Sequence, residues 1–141
     1  MNDLVICDTD ALIALFSATD IHKQRAKQTL ILLSNQNFFL YFPVTVLSEA
    51  ITTSQRIIED KLLVETIVKN AHEGNLPVVP VDQEIVDIAI SIFNPNGSKN
   101  NTFFDAIVAA TAKKYQAKAI FSFDVWYKKQ GFTLASELVN L

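Results

Sequence analysis

The segments LVICD (residues 4–8) and AIFSFD (119–124) constrain this chain more than any other feature. A strand with one face in water alternates apolar and polar residues, whereas a parallel strand covered by helices on both faces reads as an apolar run. LVIC is of the second kind, and both segments stop at a carboxylate, Asp8 and Asp124. In an open parallel sheet, ligands bind beyond the carboxyl ends of the strands, where the strand order reverses. Both acids are therefore expected to project into one crevice.

The rest of the chain alternates between the two periodicities. Strands are expected at 3–8, 38–42, 76–81 and 118–124, with a short last one at 131–134. Helices are expected at 10–16 and 20–33, with Asp10 and Asp20 standing where N-cap acceptors belong, and at 44–51, 57–72, 82–93 and 102–115. NPNGSKNN (94–101) is a turn-rich loop. Strands alternating with helices define an α/β fold around a central, mainly parallel sheet. At 141 residues and 50% hydrophobic content the chain is expected to form a single domain over 1–141, with no linker or internal repeat.

Composition excludes several classes. A lone cysteine, Cys7, rules out a disulfide framework and a cysteine zinc site. No apolar stretch approaches the roughly 20 residues that span a bilayer, and the start MNDLVI lacks the basic, greasy pattern of a signal peptide. The expectation is a cytoplasmic protein with no membrane association. The net charge of −3 opposes nucleic-acid binding in bulk, but its distribution is uneven. Residues 1–98 hold 12 acids against six bases, while 99–131 hold six lysines against Asp105 and Asp124.

Two further acids sit in apolar surroundings. Asp105 opens a helix amid Phe103, Phe104, Ala106 and Ile107, and Glu49 lies among Val46, Leu47, Ala50 and Ile51. An acid on an apolar face needs a partner. A bridge from Glu49 to Arg56 is one reading. The other is convergence of Asp8, Glu49, Asp105 and Asp124 on a hard divalent cation, since Mg²⁺ and Mn²⁺ take carboxylate oxygens. His22 and His72 are far apart and are expected to decorate helix surfaces, which leaves no zinc site.

ICDTDALIALF, FPVTVLSEAI, FFDAIVAATAKKYQAKAIFSFD and WYKKQGF, in that order and spacing, resemble the PIN-domain nucleases along essentially the whole chain. The resemblance implies a PIN-like three-layer α/β/α fold and a Mg²⁺- or Mn²⁺-dependent ribonuclease. It implies Asp8, Glu49, Asp105 and Asp124 as its metal-binding, catalytic acids. The short layout is most similar to the VapC-type toxins of toxin–antitoxin pairs, which implies an antitoxin partner and a homodimer. Two positions depart from the family pattern. Asp10 stands where Ser or Asn is commoner and is expected to cap its helix ahead of adding a fifth carboxylate. Ser122 replaces a frequent Thr, with a hydroxyl to orient Asp124 or a ligand. His22 matches a recurring family feature without a catalytic task. Lys128 and Lys129, close behind Asp124, are expected with Ser122 to contact the substrate.

Rival readings remain at this level. Asp8-Thr9-Asp10 also resembles the opening motif of haloacid-dehalogenase-type phosphatases, but Ala11 and Leu12 follow it and no adjacent acidic pair follows a later strand. A receiver domain lacks its paired early acids here. A PIN-like fold kept as a non-catalytic binding module is the third alternative.

Overall fold

The computed structural model describes residues 3–138. Its sheet has four parallel strands, β1 (Leu4–Cys7), β2 (Phe39–Pro43), β3 (Val78–Val79) and β4 (Ala119–Phe121), in the order β3-β2-β1-β4. From β1 the chain builds outward through β2 and β3, then returns to lay β4 on the other side of β1. The order thus reverses at the β1–β4 seam, where Cys7 is in register with Phe121 and the Asp8 N–H donates to the Phe121 carbonyl at 2.9 Å. All four residues of β1 are buried, so both faces of the sheet are covered.

The helices mostly start where the sequence pattern places them, with instructive shifts. Helix α1 (Thr9–Phe16) begins directly after β1, and its N-cap is Asp8, which accepts the Thr9 N–H. Asp10 is therefore not the cap. Helix α2 (Lys23–Asn35) starts three residues later than expected, because the Asp20 carboxylate accepts the His22 N–H at 2.8 Å in the preceding turn. Helix α3 (Val44–Thr53) runs into one π-helical turn at Ser54–Ile58. That turn ends at Glu59 in the left-handed region (φ 56°), and Asp60 caps a new helix, α4 (Lys61–His72). The expected helix 57–72 is split for that reason.

Strand β3 is only two residues long because Pro77 and Pro80 carry no N–H to extend the ladder. Helix α5 (Gln83–Ile92), capped by Asp82, packs on α6 (Phe103–Lys114). Two short helices, α7 (Trp126–Lys129) and α8 (Ala135–Leu138), complete the described chain. The expected last strand at 131–134 reduces to one parallel bridge between Leu134 and Ile120.

Seven consecutive residues of α6, Ala106 to Ala112, are buried. A helix covered all round must lie between layers, here β1 and β4 on one side and α5 on the other. Its four alanines allow the close approach, and the fully buried Ile85 and Ile120 each contribute about 1.5–3 kcal/mol by leaving water. Enlarging Ala109 to Leu would overpack this seam by about 1–3 kcal/mol. The packing holds the first turn of α6, and with it Asp105, at the carboxyl edge of the sheet.

Candidate active site

The site begins where β1 and β4 end. Asp8 is 5% exposed; one carboxylate oxygen accepts the Thr9 N–H at 2.8 Å and the other the Ser122 hydroxyl at 2.9 Å. The same Ser122 oxygen accepts the Asp124 N–H at 3.0 Å. Ser122 thus ties the two strand ends together and orients Asp124 through its backbone. Asp10 comes in from the first turn of α1: its Oδ2 accepts the Phe123 N–H at 3.0 Å and lies 3.2 Å from Ser122 Oγ. A hydroxyl has one proton, so Ser122 cannot donate to Asp8 and Asp10 at once. Asp10 Oδ1 is buried without a hydrogen-bond partner. Asp10 is therefore a fifth carboxylate of the cluster.

Asp124 is held by two donors, the Trp126 N–H at 2.9 Å on Oδ1 and the Asn101 amide at 2.9 Å on Oδ2. Asp105 sits in the first turn of α6, where its Oδ2 accepts the Thr102 N–H at 3.0 Å. This is the reciprocal half of a capping box. Glu49, half-buried on α3, accepts a hydrogen bond from the Thr9 hydroxyl. The Arg56 bridge is absent; Arg56 lies exposed in the π turn.

The electrostatics link these groups. Burial pushes the Asp8 carboxyl well above the usual carboxylate range, and the charges of Asp10 and Asp105 add to the rise. Asp10 is raised by burial against the opposing hydrogen bonds from Phe123 and Ser122, with Asp124 adding to the rise. Asp105 is pushed up to about 6 by burial, with the Thr102 bond opposing it and the Asp124 and Glu49 charges reinforcing it. Among the described residues, no Lys, Arg or His forms an ion pair with any of the five acids. Beneath them the buried Tyr127 phenol is raised by burial and then by Asp8 and Asp105, and the Cys7 thiol by burial and then by Asp8 and Asp10.

Such a set suits a hard cation. Its donors are oxygens only, one buried oxygen is unpartnered, and the acids destabilise one another's charged forms with no counter-ion between them. Among the described residues no three His, Cys, Asp or Glu side chains stand together as a ready ligand group. Oxygen-only donors match Mg²⁺ or Mn²⁺ better than zinc, which takes nitrogen and sulfur ligands.

Other expected residues fall elsewhere. Lys128 pairs with Glu137 at 3.1 Å, while Lys129 is exposed and makes no ion pair among the described residues. His22 is half-buried with its ring stacked on Phe123 at 4.3 Å, and His72 ends α4 on the surface. The residues that sequence reasoning passed over are Thr9, Asn101 and Tyr127. Thr9 lies between two acids already singled out, so its spacing offered a signal. Asn101 and Tyr127 offered none, because each reaches the acids through a turn that only the folded chain defines.

Among the described residues no helix is long and apolar enough to cross a membrane. The fold is similar to that of VapC20 from Mycobacterium tuberculosis, a sarcin–ricin loop cleaving toxin (TM-score 0.72, 20% identity, covering 92% of this chain and 96% of that one). It is also similar to a chain of FitAcB from Neisseria gonorrhoeae (TM-score 0.60, 16% identity, 87% and 89% covered). A chain of a toxin–antitoxin complex from Klebsiella pneumoniae aligns with TM-score 0.58 at 17% identity, with 86% and 87% covered. No curated protein matches the sequence significantly. The PIN domain family model matches residues 5–132, nearly the whole sequence, and spans all five acids of the crevice: the chain belongs to the PIN domain family.

Proposed function

We propose that the chain is a divalent-metal-dependent ribonuclease that hydrolyses RNA phosphodiesters, and the toxin of a toxin–antitoxin pair. The observation that carries this reading is the gathering of Asp8, Asp10, Glu49, Asp105 and Asp124 around the β1–β4 switch point without a basic partner. Membership of the PIN family and the likeness to toxin structures support it. An antitoxin partner and a homodimer accompany the reading.

Asp8, Glu49, Asp105 and Asp124 would hold Mg²⁺ or Mn²⁺, which when bound acidifies a water and offsets charge on the phosphate. Asp8 and Asp124 are each fixed by two hydrogen bonds, so their free lone pairs have set directions. Glu49 accepts one hydrogen bond, from the Thr9 hydroxyl, and its second oxygen is free to accept a proton and position the attacking water. Ser122 positions Asp8 and Asp124 against each other. Lys129, exposed behind Asp124, is available to a phosphate.

The test is cleavage of a labelled single-stranded RNA pool by the purified chain with Mg²⁺ or Mn²⁺. Cleavage that EDTA abolishes supports the reading. Absence of RNA cleavage with either metal, together with hydrolysis of phosphate monoesters through a phospho-Asp8, would replace it with the phosphatase alternative.

A further inference from the structure

An acidic crevice repels the polyanion it is proposed to cut, so a cation must meet the strand nearby. Lys128 is engaged by Glu137. The structure offers another cation against Phe123. Phe123, between Ser122 and Asp124, is bonded through its N–H to Asp10, and its ring carries the Arg25 guanidinium 5.1 Å from the centroid. The His22 ring stacks on the same Phe123 ring, 14° from parallel. One residue thus joins the carboxylates to a guanidinium.

Arg25 is exposed and has no carboxylate partner among the described residues. Helix stability does not account for it. Lys23, Arg25 and Lys27 all lie in the first turns of α2, which has no acid there, and cations at that end oppose the helix dipole. A guanidinium can stack on an aromatic face and still present its donor fork to a phosphate, which an ammonium cannot do.

Building on the ribonuclease reading, we propose that Arg25, seated on Phe123, is a phosphate-contact residue that binds the RNA backbone beside the phosphate being cleaved. It is a binding and positioning residue outside the acid cluster, so it acts on KM and leaves kcat almost unchanged.

The experiment measures binding of a fluorescent single-stranded RNA by anisotropy in EDTA across a salt series, and steady-state cleavage with Mn²⁺, for the full chain and three variants. Arg25→Ala, at an exposed position, should retain the wild-type melting temperature. Its binding should weaken roughly 5- to 10-fold and its log K–log salt slope should flatten by about 0.7, one single-strand phosphate contact. KM should rise by a similar factor with kcat within about twofold. Arg25→Lys should keep the slope but regain only part of the affinity. Phe123→Leu, which keeps apolar volume while removing the ring, should lose affinity with the slope nearly intact. If wild type binds and cleaves RNA while Arg25→Ala matches it in slope and KM, or loses only kcat, the phosphate contact is overturned and the ribonuclease reading stands. A wild-type chain that neither binds nor cleaves RNA overturns both.

Discussion

Two groups of acids in this molecule differ in burial and in the presence of a cation. At the α5–α6 seam, Asp82 and Glu84 face Lys114, which pairs closely with Asp82 and lies 3.3 Å from Glu84. There the Lys114 hydrogen bond pulls the Asp82 carboxyl below its usual range, and Asp82 raises Lys114 in return. At the β1–β4 edge, Asp8, Asp10 and Asp105 are all raised, because burial and neighbouring acids act on them with no basic group in reply. The surface trio is complete as folded. The crevice holds a charge imbalance that a bound cation would relieve, which makes it the more informative feature for function.

The sharpest way to break this comparison is to neutralise one acid from each group. Asp8→Asn or Asp124→Asn should reduce RNA cleavage by about 100-fold or more, the scale of losing a charge-stabilising group in the transition state. Asp82→Asn should leave the rate within about twofold. Cleavage rates of a labelled RNA with Mn²⁺ decide this, and equal losses in both groups would remove the distinction.

Metal linkage comes next in size. Mn²⁺ at about a hundredfold excess over its Kd should stabilise the wild-type chain by roughly 2.7 kcal/mol, a rise of about 10 °C in melting temperature. Asp105→Asn should shrink that gain while leaving the EDTA-treated protein as stable as wild type or more so. Asp82→Asn should keep the gain in full. An Asp105 variant that is destabilised in EDTA yet gains as much from Mn²⁺ would mark Asp105 as a structural cap through Thr102.

The pH response should have opposite signs in the two groups. Asp105 has a native pKa of about 6, above its unfolded value of about 3.9, so the native state takes up protons first as pH falls. Its contribution is favourable at low pH and is lost as pH rises through about 6. The metal-free chain should therefore gain a few degrees of melting temperature between pH 7.5 and 5, discounted for Asp105's partial exposure, and Asp105→Asn should flatten that gain. Asp82 is lowered, so its contribution is present near neutrality and is lost only as pH falls through its depressed native value. The smallest effect is Lys114→Met at neutral pH, a shift of about 1 °C, because exposed pairs are screened.

Much of the fold could be read from local pattern. The apolar run at β1 and the helical period of α6 each depend on neighbours within a turn or two. The misreadings came where a local rule had two solutions. Asp8 and Asp10 lie two residues apart at the head of the same helix, and either could cap it; Asp8 takes the role because its backbone stays extended (φ −87°, ψ 165°). The helix expected at 57–72 has a continuous apolar period, yet Glu59 breaks it with a backbone conformation that side-chain pattern does not encode. Lys128 reads as free in sequence and is paired only because α8 brings Glu137 back to it.

The sequence by itself determined that strands alternate with helices around a buried parallel sheet, and that acids stand at the ends of two strands and in two apolar helix segments, because hydrophobic period and residue chemistry are local properties. Only the tertiary structure decided what each acid meets. The Ser122 link to Asp8 spans 114 positions and the Phe123 link to Asp10 spans 113. Such contacts exist because the β4 strand crosses back to lie beside β1, and the choice of side for that crossover depends on the packing of α6 against the sheet, with α5 laid over it.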